Sequence, residues 1–267
     1  MLLRFPKSLW DHRELWWRLT EREILGRYRG SILGLGWTLV TPLAMLTVYT
    51  FVFSQIFQAR WGGIENAGPL GFAVHLFAGL IVFNLFSECV NRAPGLVLAN
   101  PNYVKKVIFP LDVLGSVAVA SSCFHACTSL LVLLAFQFIA YHRIPLTFLW
   151  LPIVWIPLVL CSLASTWILA AAGVFLRDIG QLINVALNML MFLSPIFFPY
   201  SALPPKWQPV LGLNPLAQVI EQTRRVLLHG LNPQWPYIII GLPAALFFCE
   251  MSFRIFQKSK KAFADTI

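Results

Sequence analysis

The chain has 267 residues, of which 58% are hydrophobic and 12% charged, and its net charge is +9. A soluble domain of this size carries about twice that charged fraction, so the composition excludes an ordinary globular enzyme and suits one integral-membrane domain. The positive excess does not point to nucleic acid, because it is parcelled between apolar stretches on alternating sides.

Residues 1–31 are the longest polar region and contain no continuous apolar run, so no cleavable signal peptide is read there. Over 8–26, Trp10, Trp16 and Trp17 alternate with Arg and Glu, and Trp10, Arg13, Glu14, Trp17 and Glu21 fall at helical spacing. This predicts an amphipathic helix lying at the membrane surface. A simple interfacial anchor and a docking surface for a cytoplasmic partner both fit it.

Six apolar stretches follow, at about 32–57, 70–90, 111–140, 146–176, 180–199 and 237–256. Some 20 residues rising about 1.5 Å each span the hydrocarbon layer. Backbone groups in lipid must bond to one another, so each stretch is expected to be a helix. The predicted fold is therefore all-α integral membrane, with six transmembrane helices, the N-terminal interfacial helix and short re-entrant helices before the last span. Its divisions are 1–31, a cytoplasmic interface segment; 32–256, the six-span domain; and 257–267, a basic tail.

The first span opens on Gly30, Gly34 and Gly36, small residues that permit close helix contact. Pro42 is expected to kink it. Thr47, Thr50 and Ser54 form a polar stripe beside the aromatic pair Tyr49 and Phe53; such hydroxyls ordinarily bond back to their own helix carbonyls. Span two ends with Asn84, Ser87, Glu88 and Asn91 on one face. An ionisable group at that depth faces the bundle interior or water, or pairs with Arg92 one turn on. The 92–110 loop holds two proline-bounded pieces, which predict short helices rather than a flexible linker. Span five carries Gln181, Asn184 and Asn188 at i, i+3, i+7, an interior-facing stripe for packing or for a channel wall.

The 200–236 region is broken by Pro204, Pro205, Pro209, Gly212, Pro215, Gly230 and Pro233. Asn214 as N-cap and Pro215 at the first helical position predict a helix to about Leu228, ended by Gly230. About 14 residues are too few to span, so it reads as re-entrant or interfacial. Glu221, Arg224 and Arg225 suit a solvated or self-paired cluster there. Glu250 and Arg254 form an i, i+4 pair at the end of the last span.

Fifteen of the twenty Lys and Arg residues fall in the N-terminal segment, the 91–110 loop, the 176–180 link and the tail, against five (Arg60, Arg143, Lys206, Arg224, Arg225) on the other side. The positive-inside rule places both termini in the cytoplasm. The five cysteines lie in or at the ends of apolar spans and read as packed thiols. Cys123 and Cys127 share a helix face while His125 points the opposite way, and two ligands do not make a metal site. No Gly is followed by Lys, so the chain has no Walker A motif and no nucleotide site of its own.

Several strings occur in order: 22–34 (REILGRYRGSILG), Trp37, Thr41-Pro42-Leu43, 49–53 (YTFVF), 175–179 (FLRDI), 193–199 (LSPIFFP) and 213–216 (LNPL). Together, in a six-span setting, they resemble the permease subunit of ABC-2 class polysaccharide exporters, a family that includes O-antigen, capsule and teichoic-acid systems. The resemblance covers essentially the whole chain. It implies a homodimer with two copies of a separate ATPase, which carries the ATP and Mg, and a polymer linked to undecaprenyl pyrophosphate moved outward across the bacterial inner membrane. By position it implies ATPase contact for 8–26 and 100–110, with Asn100, Tyr103, Lys105 and Lys106 as coupling residues. It implies an external gate over 201–230, with Pro215, Glu221 and Arg224.

A sugar chain has hydroxyls and apolar C–H faces, so aromatic walls with scattered amides let it slide. Trp37, Tyr49, Phe53, Asn184 and Asn188 are the channel candidates, with helix packing the alternative for each. A pyrophosphate at the inner interface needs cations, and Arg27 and Arg29 lie there, as do the headgroups of membrane lipids. No residue is assigned a catalytic role or a metal. Two other functions share parts of this pattern. An exporter of small hydrophobic compounds has the same architecture. A membrane-embedded transferase on lipid-linked sugars needs clustered acidic or basic groups, whereas Asp112 and Asp178 are isolated.

Overall fold

The computed structural model describes residues 4–56, 68–105, 109–176, 178–202 and 204–266. Among them the regular structure is helical, with no strand. The chain opens with α1 (Phe5–Asp11) and α2 (Arg13–Tyr28). The stretch expected as one helix is thus divided at His12, whose backbone leaves the helical region (φ −110°, ψ 21°) and whose ring Nδ1 donates to Ser8 O at 2.8 Å. The apolar residues of α2 do not share one face. Leu15, Trp16 and Leu19 pack on Val113 and Val117, while Trp17 stays 64% exposed.

A turn leads into α3 (Trp37–Phe51). Gly30 and Gly34 sit at φ +82° and +50° and have no neighbour within 4 Å of a notional Cβ. Within the chain they therefore serve left-handed backbone, not the close helix packing expected of them. Pro42 lies inside α3, and Thr47 and Thr50 donate back to Leu43 O and Leu46 O at 2.8 and 2.7 Å.

Helix α4 (Gly68–Arg92) is the centre of the molecule. It is followed by the short α5 (Gly95–Leu98) and α6 (Pro101–Lys105), the two pieces that the prolines predict. Next come α7 (Asp112–Tyr141), α8 (Leu151–Phe175) and α9 (Ile179–Phe192). Then follow α10 (Gln208–Gly212), α11 (Pro215–Leu227), α12 (Trp235–Ser259) and α13 (Phe263–Thr266).

Among the described residues five segments are long and apolar enough to cross a membrane: Gly34–Phe51, Leu70–Arg92, Asp112–Tyr141, Leu146–Phe175 and Trp235–Ala262. The expected fifth span is the exception. Its helix α9 has 14 residues, about 21 Å at 1.5 Å each, short of a roughly 30 Å hydrocarbon layer. The Pro195 ring would strike the carbonyl four residues back, so the helix stops at Phe192. The chain then continues irregularly, with Ser194, Pro195 and Ile196 buried in protein.

The helices alternate in direction, and both chain ends meet at one end of the bundle, called basal here. Glu250 of α12 accepts from the Arg4 and Phe5 amides and pairs with Arg254 at 2.6 Å. Ser8 donates to Asp112 at 2.6 Å, and Lys260 reaches the Phe109 carbonyl at 3.2 Å. The loop carrying α5 is pressed onto α8, where a Cβ on Gly173 would stand 2.7 Å from Pro94 Cα. Phe263 is fully buried beside Phe175 and Phe256. The expected basic tail is therefore a packed element at its aromatic residue.

The core joins α4, α7, α8 and α11 through residues such as Leu76, Leu85, Leu133, Leu158 and Trp167. Helix α3 joins it mainly through the fully buried Leu46 and is otherwise open: only 17% of Gly34–Phe51 is buried, against 78% of Leu70–Arg92.

Candidate functional site

Four helices converge at the basal end around a cleft of about 450 Å³. The end of α2 supplies Arg27 and Tyr28, and α3 supplies Trp37, Thr38 and Thr41. From α4 come Asn84, Ser87, Glu88 and Asn91, the one-face set that helical spacing predicts. Ser122, His125 and Ser129 come from one stripe of α7.

Glu88 is the electrostatic centre. Its Oε1 pairs with Arg27 Nη1, and His125 Nδ1 lies 3.1 Å from both carboxylate oxygens. A carboxylate only accepts, so Nδ1 carries a proton, and Nε2 lies in hydrogen-bond contact with the Tyr28 hydroxyl at 3.2 Å. Arg92 stands one turn beyond Glu88 at 3.9 Å but pairs chiefly with Glu23 of α2. The i, i+4 partner expected for Glu88 is thus its weakest contact, and the strong ones come from other helices. The result is a charge-balanced knot beside amides, hydroxyls and an indole face, with no nucleophile set up for covalent chemistry. Helical spacing sets His125 away from Cys123 and Cys127, and no local pattern marks Glu88, 37 positions earlier, as its partner. Those thiols face a separate apolar cleft of about 720 Å³ under α2, lined by Trp16, Trp17 and Phe124.

The opposite end is organised by α11. Asn214 Oδ1 accepts from the Leu216 amide at 3.0 Å, and Gly230 (φ +68°) follows the helix, as predicted. The carbonyls of Val226 and Leu227, left over at the helix end, accept from Thr147 and Gln137 at 2.6 and 2.7 Å. Of the solvated or self-paired cluster expected here, Arg224 is not solvated: it is 1% exposed. Its guanidinium donates to Pro195 O (2.5 Å), Ile196 O (2.9 Å) and His75 O (3.0 Å). Burial pushes it down to about 10, against the pull of Glu221, so it stays charged at neutral pH. Glu221 Oε2 stands 4.0 Å away and is partly exposed, and Arg225 caps Asn232 O instead.

With both ends described, the comparison with known proteins is direct. The profile of the family described as ABC-2 type transporter matches residues 14–228, from α2 through α11. The chain belongs to the ABC-2 type transporter family. It is similar to the O-antigen export system permease protein RfbA of Klebsiella pneumoniae, 25% identical over 250 residues and 93% of each chain. A Myxococcus xanthus protein of the same description is 27% identical over 270 residues, the whole of both chains. The polysialic acid transport protein KpsM of Escherichia coli is 27% identical over 212 residues, 78% of this chain and 79% of that one.

In this ABC-2 type chain the remaining candidates are scattered. Arg29 is exposed at the end of α2 and does not line the cleft. Tyr49 and Phe53 join an aromatic cluster at the far end, where Phe53 stacks on Phe72 (5.0 Å) and meets Phe197 (6.4 Å). Asn184 and Asn188 lie exposed on α9, about 100° around from its buried Ile183 and Leu187, so within the chain the stripe does not face the interior as expected. Asn100 bonds back to Leu96 O at 2.9 Å, while Tyr103 stacks on Phe109 at 4.1 Å and accepts from Arg22 at 3.1 Å. Lys105 closes α6, and Lys106 lies outside the described residues. Pro215 opens α11.

Proposed function

We propose that this chain is the permease subunit of an ATP-driven ABC transporter that exports a lipid-linked polysaccharide, with O-antigen the first choice of polymer. The observation that carries this reading is that relatives matched over most or all of the chain are described as O-antigen export permeases or as a polysialic acid transport protein. The cleft suits a glycan: it pairs the Trp37 face with the Asn84 and Asn91 amides.

The permease works as a pair, in contact with two ATPase subunits that hold ATP and Mg. Support for the second copy comes from the open side of α3 and from the polar stripe on α9, which lipid cannot satisfy. Trp37, Tyr49, Phe53, Asn184 and Asn188 line the conduit. Asn100, Tyr103, Lys105 and Lys106 couple it to the ATPase, and Pro215, Glu221 and Arg224 belong to the outer gate. The basal end, rich in Lys and Arg, faces the cytoplasm of a bacterial inner membrane. Arg27 and Arg29 meet the pyrophosphate of the undecaprenyl carrier, among the membrane lipids that surround them.

Deleting the gene and fractionating lipid-linked polymer tests this. Full-length polymer building up inside the cell is the expected result; loss of polymer synthesis, or normal surface polymer with new sensitivity to hydrophobic drugs, would refute it.

A further inference from the structure

We propose that Glu88 is a resident counter-anion that holds the substrate's place: the pyrophosphate of a polyprenyl-linked glycan displaces it from Arg27. This rests on the reading of the chain as a carrier of such glycans, and deepens it.

Three observations converge. First, the partners are unequally enclosed. The side chain of Arg27 is 50% exposed, whereas those of Glu88 and His125 are 21% and 16% exposed. Arg27 is therefore the member that can turn towards the mouth of the cleft, and Glu88 is the one that stays. Second, Glu88 is not orphaned when Arg27 leaves. His125 Nδ1 keeps both carboxylate oxygens at 3.1 Å, and Arg92 waits at 3.9 Å. The Tyr28 hydroxyl, bonded to the far ring nitrogen, holds the imidazole in that orientation. Third, the incoming group is the better ligand. A guanidinium fork matches phosphate oxygens bidentately, and a pyrophosphate brings more charge than one carboxylate. An ion pair with one half-exposed partner is weak enough to exchange.

The exchange brings the substrate's negative charge into the cleft without orphaning Glu88. Before it, Arg27 and Glu88 neutralise each other. After it, Arg27 offsets part of the pyrophosphate charge, and the carboxylate keeps the His125 donor already in place. The empty transporter thereby avoids a bare cation at the glycan mouth, and weakly charged lipids are disfavoured because they must compete with an internal carboxylate.

The test uses the permease assembled with its ATPase in phosphatidylcholine nanodiscs, with farnesyl pyrophosphate as probe. Glu88→Gln is expected to bind the probe roughly fivefold or more tighter than wild type, since the competing charge is gone. Arg27→Gln loses most of the binding, and Arg27→Lys, which keeps charge without the fork, falls between. Should Glu88→Gln fail to assemble, Glu88→Asp, with a shorter reach to Arg27, is expected to shift affinity the same way by a smaller factor. Unchanged or weaker binding in the assembled Glu88 variants overturns the proposal. Inorganic pyrophosphate binding as tightly as the prenylated probe, or phosphatidylglycerol displacing it at equal concentration, also overturns it, by assigning the site to free phosphate or ordinary headgroups. A flat Glu88 series in a system whose deletion strain retains polymer inside the cell sinks the counter-anion alone and leaves the export reading standing.

Discussion

Arg224 shows how much one side chain can organise through backbone carbonyls. Its three donated bonds end on backbone carbonyls from α4 and from the turn after α9, so one guanidinium fixes α11 against both. Replacing it with Met leaves those buried oxygens without a donor, at a cost of about 1–3 kcal/mol for each group left unsatisfied. Arg224→Met is expected to lower the melting temperature in detergent strongly, and Arg224→Lys to recover only part, because an ammonium is a point donor. A full recovery by Lys would mean that charge, not the fork, holds α11. The sequence could place this cation on a short helix but not predict its burial. Its acceptors are carbonyls, which every residue has and no residue type announces. The same silence hid the link between His125 and Glu88, formed across 37 positions of chain.

At the level of the helix, periodicity and punctuation were legible. The i, i+3, i+7 amides of α9 do share one stripe, set beside Ile183 and Leu187 and exposed in the chain, and the start of α11 follows from Asn214 and Pro215. Length was less legible, because hydropathy runs on through 193–199 while Pro195 ends the helix. The break at His12 was also hidden, since His is compatible with a helix and only the local backbone departs from it. If the α9 stripe faces water, Asn184→Cys and Asn188→Cys in a cysteine-free background will react with a charged thiol reagent. Leu182→Cys and Met189→Cys, on the flanking apolar side, will react only with a membrane-soluble one. Equal labelling at all four positions would remove α9 from the conduit.

Across the whole molecule, the composition carries the membrane class, and the charge pattern anticipates that the two ends of the chain lie at one end of the bundle. The way the basal loop seats on the bundle depends on contacts between distant segments. Gly173 allows α8 to meet Pro94, and a methyl group there forces the loop away or strains the helix. Gly173→Ala is expected to cost about 1–3 kcal/mol through overpacking. Limited proteolysis of the assembled bundle should then show faster cutting between α4 and α7 than in wild type. Unaltered cutting would mean that the loop is held elsewhere.

Phe263 gives the molecule a temporal order. The residue that fills the gap beside α6 and α8 follows α12 in the chain, so a nascent polypeptide has threaded every apolar helix into the bilayer before this stopper leaves the ribosome. Until then the basal end is open at the seam between α6 and α8, and any surface that spans the seam is completed last.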